Sequence, residues 1–529
     1  MTTTDAPARD GEIQPRERID IGAAFDNSYA RELDGAYVRQ APATVAAPRM
    51  VRFNHRLAEE LGIDPDPLDG PLGARIFSGN ALPAGADPLA QAYAGHQFGG
   101  FSPQLGDGRA LLLGEIVDRH GRRRDIALKG SGRTPFSRGG DGKAALGPVL
   151  REYLMGETMQ ALGIPTTRAL AAVSTGERVY RDSPLPGAVL TRVAASHLRV
   201  GTFQFFAARG QDAFVERLLD YTIARHDPAL RHAPDRALRL LEAVARRQAE
   251  LIAQWMRVGF IHGVMNTDNM TLSGETIDFG PCAFLEAYDP QTVFSSIDHG
   301  GRYAFGNQPH LARWNLARFA ETLLPSIDAD RERAIARATE IIDAFPGWFE
   351  ERWSGVLRDK LGLLRAQADD GTLASEWLDL MHAAGIDYTL GWRALATEVH
   401  TTGETPADGA PADRATGFDL ASLFAQADPA QRARRDAWLG RWRARRLLES
   451  AAPAEQLARM RAASPAIVAR NHKVEEALTA ALAGDGDMAP FERLLAAVAA
   501  PYDERPGLED YRRPAPREVT ARYQTFCGT

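Results

Sequence analysis

One lysine and one glutamate have the order and spacing that nucleotide chemistry uses. Lys129 ends the strand-like run Asp125–Lys129, and Glu152 lies in the next predicted helix. A strand lysine held by a helix glutamate is an arrangement that grips nucleotide phosphates. Only four of the 62 basic residues are lysines, so this chain uses arginine for most of its positive charges. A lysine that is present therefore indicates a position where the compact ammonium group is needed and the larger, planar guanidinium group does not fit. The pair alone also fits a solvated contact on the protein surface.

A second group of candidate residues follows a long predicted amphipathic helix. The segment Phe260–Asn269 contains His-Gly and ends in Thr-Asp-Asn, and Asp278-Phe279-Gly280 begins nine residues after Asn269. Kinase-like enzymes place an asparagine and an aspartate of such segments on the metal that accompanies the nucleotide. Amide and carboxylate oxygens suit Mg²⁺ or Mn²⁺. The pattern therefore predicts that Asn269 and Asp278 bind a divalent metal.

The same segment departs from small-molecule kinases at one position. Their loop carries an aspartate that accepts the proton of the substrate hydroxyl, whereas position 264 of this chain is valine. Val264 cannot accept a proton, but the carboxylate of Asp268 can do so from a different direction. The ordinary orientation of ATP would not place the γ-phosphate correctly for Asp268, so reaction at the α-phosphorus is the alternative that this change raises. We expect His262 to brace the backbone of the loop rather than to react.

A glycine-dense turn precedes the first predicted strand of this region. It comprises Gly99-Gly100-Phe101 and Leu105–Arg109. Glycine lets backbone amides approach phosphate oxygens closely, and Arg109 adds positive charge. The turn is weak evidence by itself, because most glycine-rich turns before strands are only turns. The chain has no Walker A loop here, since Gly142-Lys143 is followed by alanine.

The elements that must position these residues follow from periodicity and turn signals. Two strands joined by a charged turn, then a loop, a helix and two or three further strands form a strand-rich part, and long helices follow. In order, the predicted elements are strands Ala110–Val117 and Asp125–Lys129, loop Gly130–Gly147, helix Leu146–Leu162, strands within Thr167–Val193, helices Phe214–Ala224 and Arg236–Val258, a short hairpin of Met270–Leu272 and Thr276–Ile277, and a flexible excursion at residues 403–413.

Composition narrows the classes of protein that the chain can represent. The 529 residues are 44% hydrophobic and carry a formal net charge of −7, which is typical of a globular protein and gives no reason to expect nucleic acid or a membrane as partner. No stretch approaches about 18 consecutive apolar residues. Met1–Asp20 lacks the apolar core of a signal peptide, and two cysteines are too few for a disulfide framework. We expect a cytoplasmic protein.

Over roughly residues 20–529 the chain resembles the selenoprotein O family of pseudokinases, which are protein adenylyltransferases. The resemblance is carried by the blocks Tyr93–Gly99, Gln104–Arg109, Leu128–Arg138, Arg151–Leu154, His262–Asn269 and Asp278–Pro281. It implies ATP bound in a flipped orientation and transfer of AMP to serine, threonine or tyrosine hydroxyls of proteins, with release of pyrophosphate. It further implies protein substrates that include redox-related ones, and self-modification.

The resemblance also implies a role for each matching residue. Asp268 is expected to be the general base, and Lys129, held by Glu152, to bind phosphate. Asn269 and Asp278 are expected to hold Mg²⁺ or Mn²⁺. The residues expected to contact ATP are Gly106, Gly108, Arg109, Lys129, Asp141, Gly142, Arg192, Arg199 and Asp278. From the residues alone, Arg192 and Arg199 look like ordinary surface arginines.

The implied fold is α+β and protein-kinase-like, with a strand-rich lobe and a helical lobe. The expected boundaries are an N-terminal extension at residues 1–85, an N-lobe at 86–195, a helical C-lobe at 196–450 and a C-terminal extension at 451–529. Cys527 matches the position at which some relatives carry selenocysteine, and the family picture includes a redox-sensitive link from there to the catalytic lobe. Cys282 is the available partner, and two unpaired thiols are the alternative.

Two other functions stay open at this point. The first is a phosphotransferase that uses Asp268 and still transfers the γ-phosphate, and the second is a nucleotide-binding scaffold without chemistry. Val264 argues against the first function. The joint presence of Lys129, Glu152, Asn269 and Asp278 argues against the second, because binding alone needs fewer groups.

Overall fold

A computed structural model describes residues 16–399, 418–484 and 486–526. The predicted excursion at residues 403–413 and Cys527 lie outside these ranges. The described chain has a mixed α and β architecture, in which a large antiparallel sheet is followed by many helices. None of the described helices has the length and apolar character that crossing a membrane requires.

The regular elements are numbered here in chain order. The strands are β1 (Arg18–Ile19), β2 (Tyr37–Arg39), β3 (Arg49–Phe53), β4 (Leu82–Pro83), β5 (Leu89–Gln91), β6 (Gly95–Gln97), β7 (Gly100–Ser102), β8 (Ala110–Val117), β9 (Arg123–Lys129), β10 (Ala144–Ala145), β11 (Arg168–Tyr180), β12 (Pro184–Ala194), β13 (Phe260–Ile261) and β14 (Ala283–Phe284). The helices are α1 (Ser28–Glu32), α2 (His55–Leu61), α3 (Pro71–Phe77), α4 (Leu146–Ala161), α5 (Val200–Ala207), α6 (Asp212–His226), α7 (Arg236–Val258), α8 (Gln308–Ile327), α9 (Arg331–Leu361), α10 (Asp370–Ala384), α11 (Tyr388–Thr397), α12 (Leu420–Leu423), α13 (Pro429–Arg446), α14 (Pro453–Ala463), α15 (Asn471–Leu482), α16 (Ala489–Val498), α17 (Glu509–Arg512) and α18 (Arg517–Thr520).

The main sheet has the strand order β2-β5-β8-β9-β12-β11-β3, and β10 also pairs with β12. The predicted hairpin is confirmed: β8 and β9 pair antiparallel, with Ala110 opposite Lys129. Two strands, β11 and β12, occupy the segment in which two or three were predicted. The predicted helices are confirmed as α4, α6 and α7. Helix α7 ends at Val258 and is followed by Gly259, which has the positive φ of 75° that favours glycine.

Side chains alternate between the two faces of the sheet along the central strands, and this alternation determines which of them lie on the face that carries Lys129. Ile126 and Leu128 of β9 point into one hydrophobic core, which α2 and α3 cover. Lys129 therefore points to the opposite face, because successive strand residues alternate. Leu190 pairs directly with Lys129, and Arg192 lies two residues further along β12 on the same face.

Both edge strands of the main sheet come from one short stretch, residues 37–53, which we call the strap. Its first part, β2, pairs with β5, and its last part, β3, pairs with β11 at the other edge. Between them the strap crosses the ends of the strands. There the backbone N–H of Ala43 donates to the carbonyl of Ser131 at 2.7 Å, and that of Ala47 to the carbonyl of Thr175 at 3.0 Å.

Two local predictions are wrong. Met270–Leu272 and Thr276–Ile277 do not pair with each other; Thr271 instead forms a bridge with Arg199, and Thr276 with Thr166. The reason is a tight turn in which the hydroxyl of Thr271 donates to the carbonyl of Glu275, leaving both arms to neighbouring segments. The predicted loop Gly130–Gly147 also ends early, because β10 pairs with β12 and Gly147 already belongs to α4.

Candidate active site

A cleft of about 1060 Å³ lies between the sheet face that carries Lys129, helix α4 and residues 264–281. The structure brings to this one cleft every residue predicted to bind nucleotide or metal or to act as a base. These residues are Gly106, Gly108, Arg109, Lys129, Asp141, Gly142, Glu152, Arg192, Arg199, Asp268, Asn269 and Asp278. Their individual roles remain predictions.

A network of opposite charges forms the centre of the cleft. The ammonium of Lys129 contacts Glu152 at 2.5 Å and Asp278 at 2.8 Å. Arg192 contacts the same two carboxylates, at 3.3 Å and 2.8 Å. Arg199 approaches the other oxygen of Asp278 at 3.4 Å. Three cations thus converge on a single aspartate, which gives the cleft a concentration of positive charge suited to phosphate groups.

Asp278 is held in an uncommon state by this environment. Its φ of 62° lies in the left-handed region, which is rarely adopted by residues other than glycine, asparagine and aspartate. Phe279, which follows it, is buried in the main hydrophobic core. Burial alone would raise the pKa of Asp278, but Lys129, Arg192 and Arg199 outweigh burial and hold the pKa well below its usual range. The carboxylate is therefore ionised and ready to bind a cation.

The predicted base, Asp268, lies in a short 3-10 turn, Thr267–Asn269, at the edge of the cleft. Gln97 donates a hydrogen bond to its Oδ2 at 3.2 Å, and Arg199 donates to its backbone carbonyl at 3.0 Å. Its Oδ1 is buried and has no hydrogen-bond partner among the described residues. Burial raises the pKa of Asp268 to about 6. A raised pKa improves a carboxylate as a proton acceptor near neutral pH.

The donor set at Asn269 and Asp278 fits a divalent cation. The Nδ2 of Asn269 donates to the carbonyl of Val264 at 3.0 Å, so the amide oxygen is the end that can coordinate. Oδ1 of Asp278 accepts from Lys129 and Arg192, whereas Oδ2 has only the longer contact with Arg199 among the described residues. No three His, Cys, Asp or Glu side chains cluster as a metal site in the described ranges. An ion here would therefore need phosphate oxygens as further ligands.

Two of the glycines predicted to contact ATP, Gly106 and Gly142, have a packing reason. A Cβ on Gly106, whose φ is 75°, would lie 2.3 Å from the ring of Phe136. A Cβ on Gly142, whose φ is 68°, would lie 2.1 Å from the carbonyl oxygen of Gly132. Both glycines thus let the loop between β9 and β10 fold tightly against its neighbours, and Asp141 is fixed beside them by Arg181, at 2.9 Å.

Several residues of the cleft received no individual role from the sequence, although three of them lie in the blocks that carry the family resemblance. They are Tyr93, Gln97, Asp107, Arg181 and residues 524–526. The guanidinium of Arg199 lies over the ring of Tyr93, 4.5 Å from its centroid. The segment near residue 525 reaches the cleft because the backbone N–H of Thr525 donates to Phe294 at 2.8 Å and its hydroxyl to Pro281 at 2.7 Å. None of these contacts leaves a local signal, since each joins distant parts of the chain.

The structure also shows the surroundings of His262 and Cys282. The ring of His262 hydrogen-bonds to the backbone carbonyl of Ile277 at 2.8 Å, which confirms that it braces the loop. Cys282 is fully buried, and burial raises the pKa of its thiol to about 11. Its predicted partner Cys527 lies outside the described residues, so the link between them stays a prediction.

The chain is similar to known proteins over almost its whole length. A family model described as Protein adenylyltransferase SelO matches residues 21–499. A protein nucleotidyltransferase YdiU of Cereibacter sphaeroides is 59% identical over 506 residues, covering 96% of this chain and 99% of that relative. Those of Chromobacterium violaceum and Rhizobium etli are 57% and 53% identical over 495 and 514 residues, covering 93% and 97% of this chain and 99% of each relative. The chain therefore belongs to the SelO family of protein adenylyltransferases.

Proposed function

We propose that this chain transfers AMP from ATP to a serine, threonine or tyrosine hydroxyl of a protein and releases pyrophosphate. One observation carries the proposal: Asp268, a buried carboxylate with one oxygen that has no hydrogen-bond partner among the described residues, shares the cleft with a cluster of cations. Val264, at the position of the kinase base, also lines the cleft and offers no proton acceptor. Family membership supports the same activity.

The proposed architecture is protein-kinase-like. Residues 86–195 would form the strand-rich lobe and residues 196–450 the helical lobe, with extensions at 1–85 and 451–529. Support comes from the pairing of a strand lysine with a helix glutamate, Lys129 with Glu152, and from the cleft beside them. The strap belongs to the first extension and completes the sheet, so that extension would be an integral part of the strand-rich lobe.

The proposed reaction moves one proton and exchanges one phosphorus–oxygen bond. Asp268 accepts the proton of the substrate hydroxyl, and the hydroxyl oxygen bonds to the α-phosphorus. The bond from the α-phosphorus to the oxygen that bridges to the β-phosphate breaks, and its electron pair leaves on pyrophosphate. Lys129, Arg192 and Arg199 would stabilise the negative charge that grows on this leaving group, because fixed cations in a secluded site need no reorganisation.

Asn269 and Asp278 would hold Mg²⁺ or Mn²⁺ together with the phosphates of ATP. When bound, the ion would neutralise phosphate charge and help to orient the leaving group. The proposed partners are ATP and hydroxyl-bearing proteins, among them redox-related proteins and the chain itself.

Lys129→Arg is expected to reduce AMP transfer roughly 10²-fold although the positive charge is kept. The side chain is only 14% exposed and already contacts both Glu152 and Asp278, so the larger planar guanidinium cannot occupy the position of the ammonium. Initial transfer rates at saturating ATP measure the effect. Lys473→Arg, at a lysine whose partner Glu476 is largely exposed, is the matched control and should keep the wild-type rate. Full activity of the Lys129 variant would contradict this role.

Gly95→Ala is expected to slow transfer, again roughly 10²-fold, without removing any functional group. A Cβ at this position would lie 2.4 Å from Oδ1 of Asp268, so the carboxylate must move away from its place. The measurement is the transfer rate at saturating ATP, with nucleotide affinity followed separately. Gly371→Ala in α10, where a Cβ meets nothing within 4 Å, serves as control. An unchanged rate for Gly95→Ala would show that the position of Asp268 is unimportant.

ATP labelled at the α- or the γ-phosphorus tests the proposed function directly. Purified protein is incubated with each labelled ATP and with Mg²⁺ or Mn²⁺, with and without added proteins as acceptors. Label on protein only from α-labelled ATP is the expected result. Label only from γ-labelled ATP would make the chain a kinase that uses Asp268 as its base. Binding of ATP without any transfer to the chain or to added acceptors would favour a scaffold.

A further inference from the structure

A histidine outside the predicted set contacts the active-site arginine of β12. The Nε of Arg192 donates a hydrogen bond to Nε2 of His197 at 3.2 Å, and both residues are buried. The other ring nitrogen of His197, Nδ1, lies 3.0 Å from Oδ2 of Asp125. His197 thus connects Arg192 to Asp125, a carboxylate on the same face of β9 as Lys129.

The partners decide where the proton of the ring resides. An arginine Nε–H can only donate, so Nε2 of His197 must be the acceptor. The proton is therefore on Nδ1, which donates to the carboxylate of Asp125. Burial lowers the pKa of His197 to about 4, in agreement with a neutral ring at pH 7. A neutral histidine held by a carboxylate presents a fixed acceptor to the arginine.

Asp125 is itself anchored on several sides. Its Oδ1 accepts from Arg225 of α6 at 2.5 Å, and its Oδ2 also accepts from the backbone N–H of His197 at 2.8 Å. Burial alone would raise the pKa of Asp125, but Arg225 and His197 hold it at about 2. Arg225 also donates to the carbonyl of Ala195 at 3.0 Å. The support of His197 is therefore rigid and charged at pH 7.

The other hydrogen bonds of Arg192 with described residues all use one atom. Its Nη1 reaches Glu152 at 3.3 Å and Asp278 at 2.8 Å. Contacts at a single nitrogen leave the plane of a guanidinium free to rotate about that point, whereas a second contact at Nε fixes the plane. The bond to His197 supplies this second point, from the side away from the two carboxylates.

We infer that His197, oriented by Asp125, is a positioning residue that aims the guanidinium of Arg192 at the phosphates of the bound nucleotide. The inference rests on the proposed function, in which Arg192 stabilises the leaving pyrophosphate. Groups that orient a charged side chain in this way have effects on rate without touching the substrate. His197 itself contacts Arg192 and Asp125 and does not line the cleft.

Two substitutions of His197 test the hydrogen bonds of its two ring nitrogens separately. In His197→Asn the amide nitrogen can replace Nδ1 and keep the bond to Asp125, but the acceptor for Arg192 is lost. In His197→Gln the amide oxygen can reach the place of Nε2 and accept from Arg192, while the bond to Asp125 is lost. We expect kcat for AMP transfer to fall roughly 10-fold to 100-fold in His197→Asn and clearly less in His197→Gln. The affinity for adenosine, which has no phosphates, should not change.

A double-mutant cycle distinguishes positioning from a general structural role. If His197 acts through Arg192, His197→Asn should cause no further loss when Arg192 is already alanine. Equal losses in both backgrounds, or wild-type kcat in His197→Asn, would overturn the inference. If His197→Asn fails to fold, hydrogen exchange of the wild-type protein tests the bond instead. The signal of the Arg192 Nε–H is assigned by its absence in Arg192→Lys. We expect this hydrogen to exchange slowly with solvent. Rapid exchange would contradict the bond to His197.

The outcome stays separate from that of the proposed function. Wild-type protein that transfers no α-label refutes adenylyl transfer. In that case the affinities of wild type and His197→Asn for ATP and for adenosine still test whether His197 positions Arg192 for phosphates. A weaker affinity for ATP alone supports the inference, and equal affinities for ATP in both proteins contradict it.

Discussion

Asp278→Ala is expected to abolish metal-dependent nucleotide binding and AMP transfer together. The substitution removes a proposed metal ligand and also the carboxylate on which Lys129, Arg192 and Arg199 converge. Among the described residues, Glu152 would then be the one carboxylate left in contact with these three cations, and their mutual repulsion would spread them away from the phosphate positions. The variant would therefore bind neither the metal ion nor the triphosphate of ATP.

The measurement is a titration of ATP with Mg²⁺, with Mn²⁺ and with a chelator present, alongside transfer of α-label. Wild-type protein should bind ATP more tightly with the ion than with the chelator, whereas the variant should show no difference. Asp278→Asn keeps the shape but not the charge and should also fail. Asp510→Ala, at a carboxylate that is 78% exposed, controls for the loss of an aspartate as such. Transfer that survives in Asp278→Ala would break the proposed scheme.

Asp268→Ala is expected to preserve ATP binding and to slow transfer by roughly 10²–10⁴-fold, the usual contribution of a general base. Within the described part of the chain, no hydrogen bond or ion pair joins the side-chain oxygens of Asp268 to these three cations; Arg199 donates to its backbone carbonyl instead. Its loss therefore leaves the phosphate-binding charges in place. The effect should appear in kcat rather than in the affinity for ATP.

A single-turnover experiment with ATP bound in advance isolates the chemical step. Asp268→Asn is the matched variant, because an amide of the same size cannot accept the proton but can still accept the bond from Gln97 through its oxygen. Both variants should be slow to a similar degree. A wild-type rate in either of them would assign the proton to another acceptor. Weak ATP binding by both would instead make Asp268 a structural residue.

Local patterns account for much of the fold that positions the site. The β8–β9 hairpin and helices α4 and α7 could be predicted because their periodicity is strong and glycine or charged turns delimit them. Lys129 and Glu152 could be paired because both lie on these regular elements. Asp278 could be found because its motif is short and contiguous.

Contacts between distant segments explain what could not be predicted. The arms of the turn at residues 270–277 pair with Arg199 and Thr166, far away in the sequence, so that local strand propensity pointed to the wrong partner. His197 has no motif around it, and its importance depends on where the fold places Asp125 and Arg192. Gln97 likewise meets Asp268 across 171 positions of sequence. The spacing of residues along the sequence carries no information about contacts between such distant segments.

The strap has a consequence for how the sheet opens. An open sheet normally has two independent edges, each of which can fray by itself or pair with another molecule. Here one stretch of chain, residues 37–53, supplies both edge strands and is tied between them to the carbonyls of Ser131 and Thr175. Detaching one edge therefore pulls on the tether of the other. The two edges therefore become a single cooperative unit.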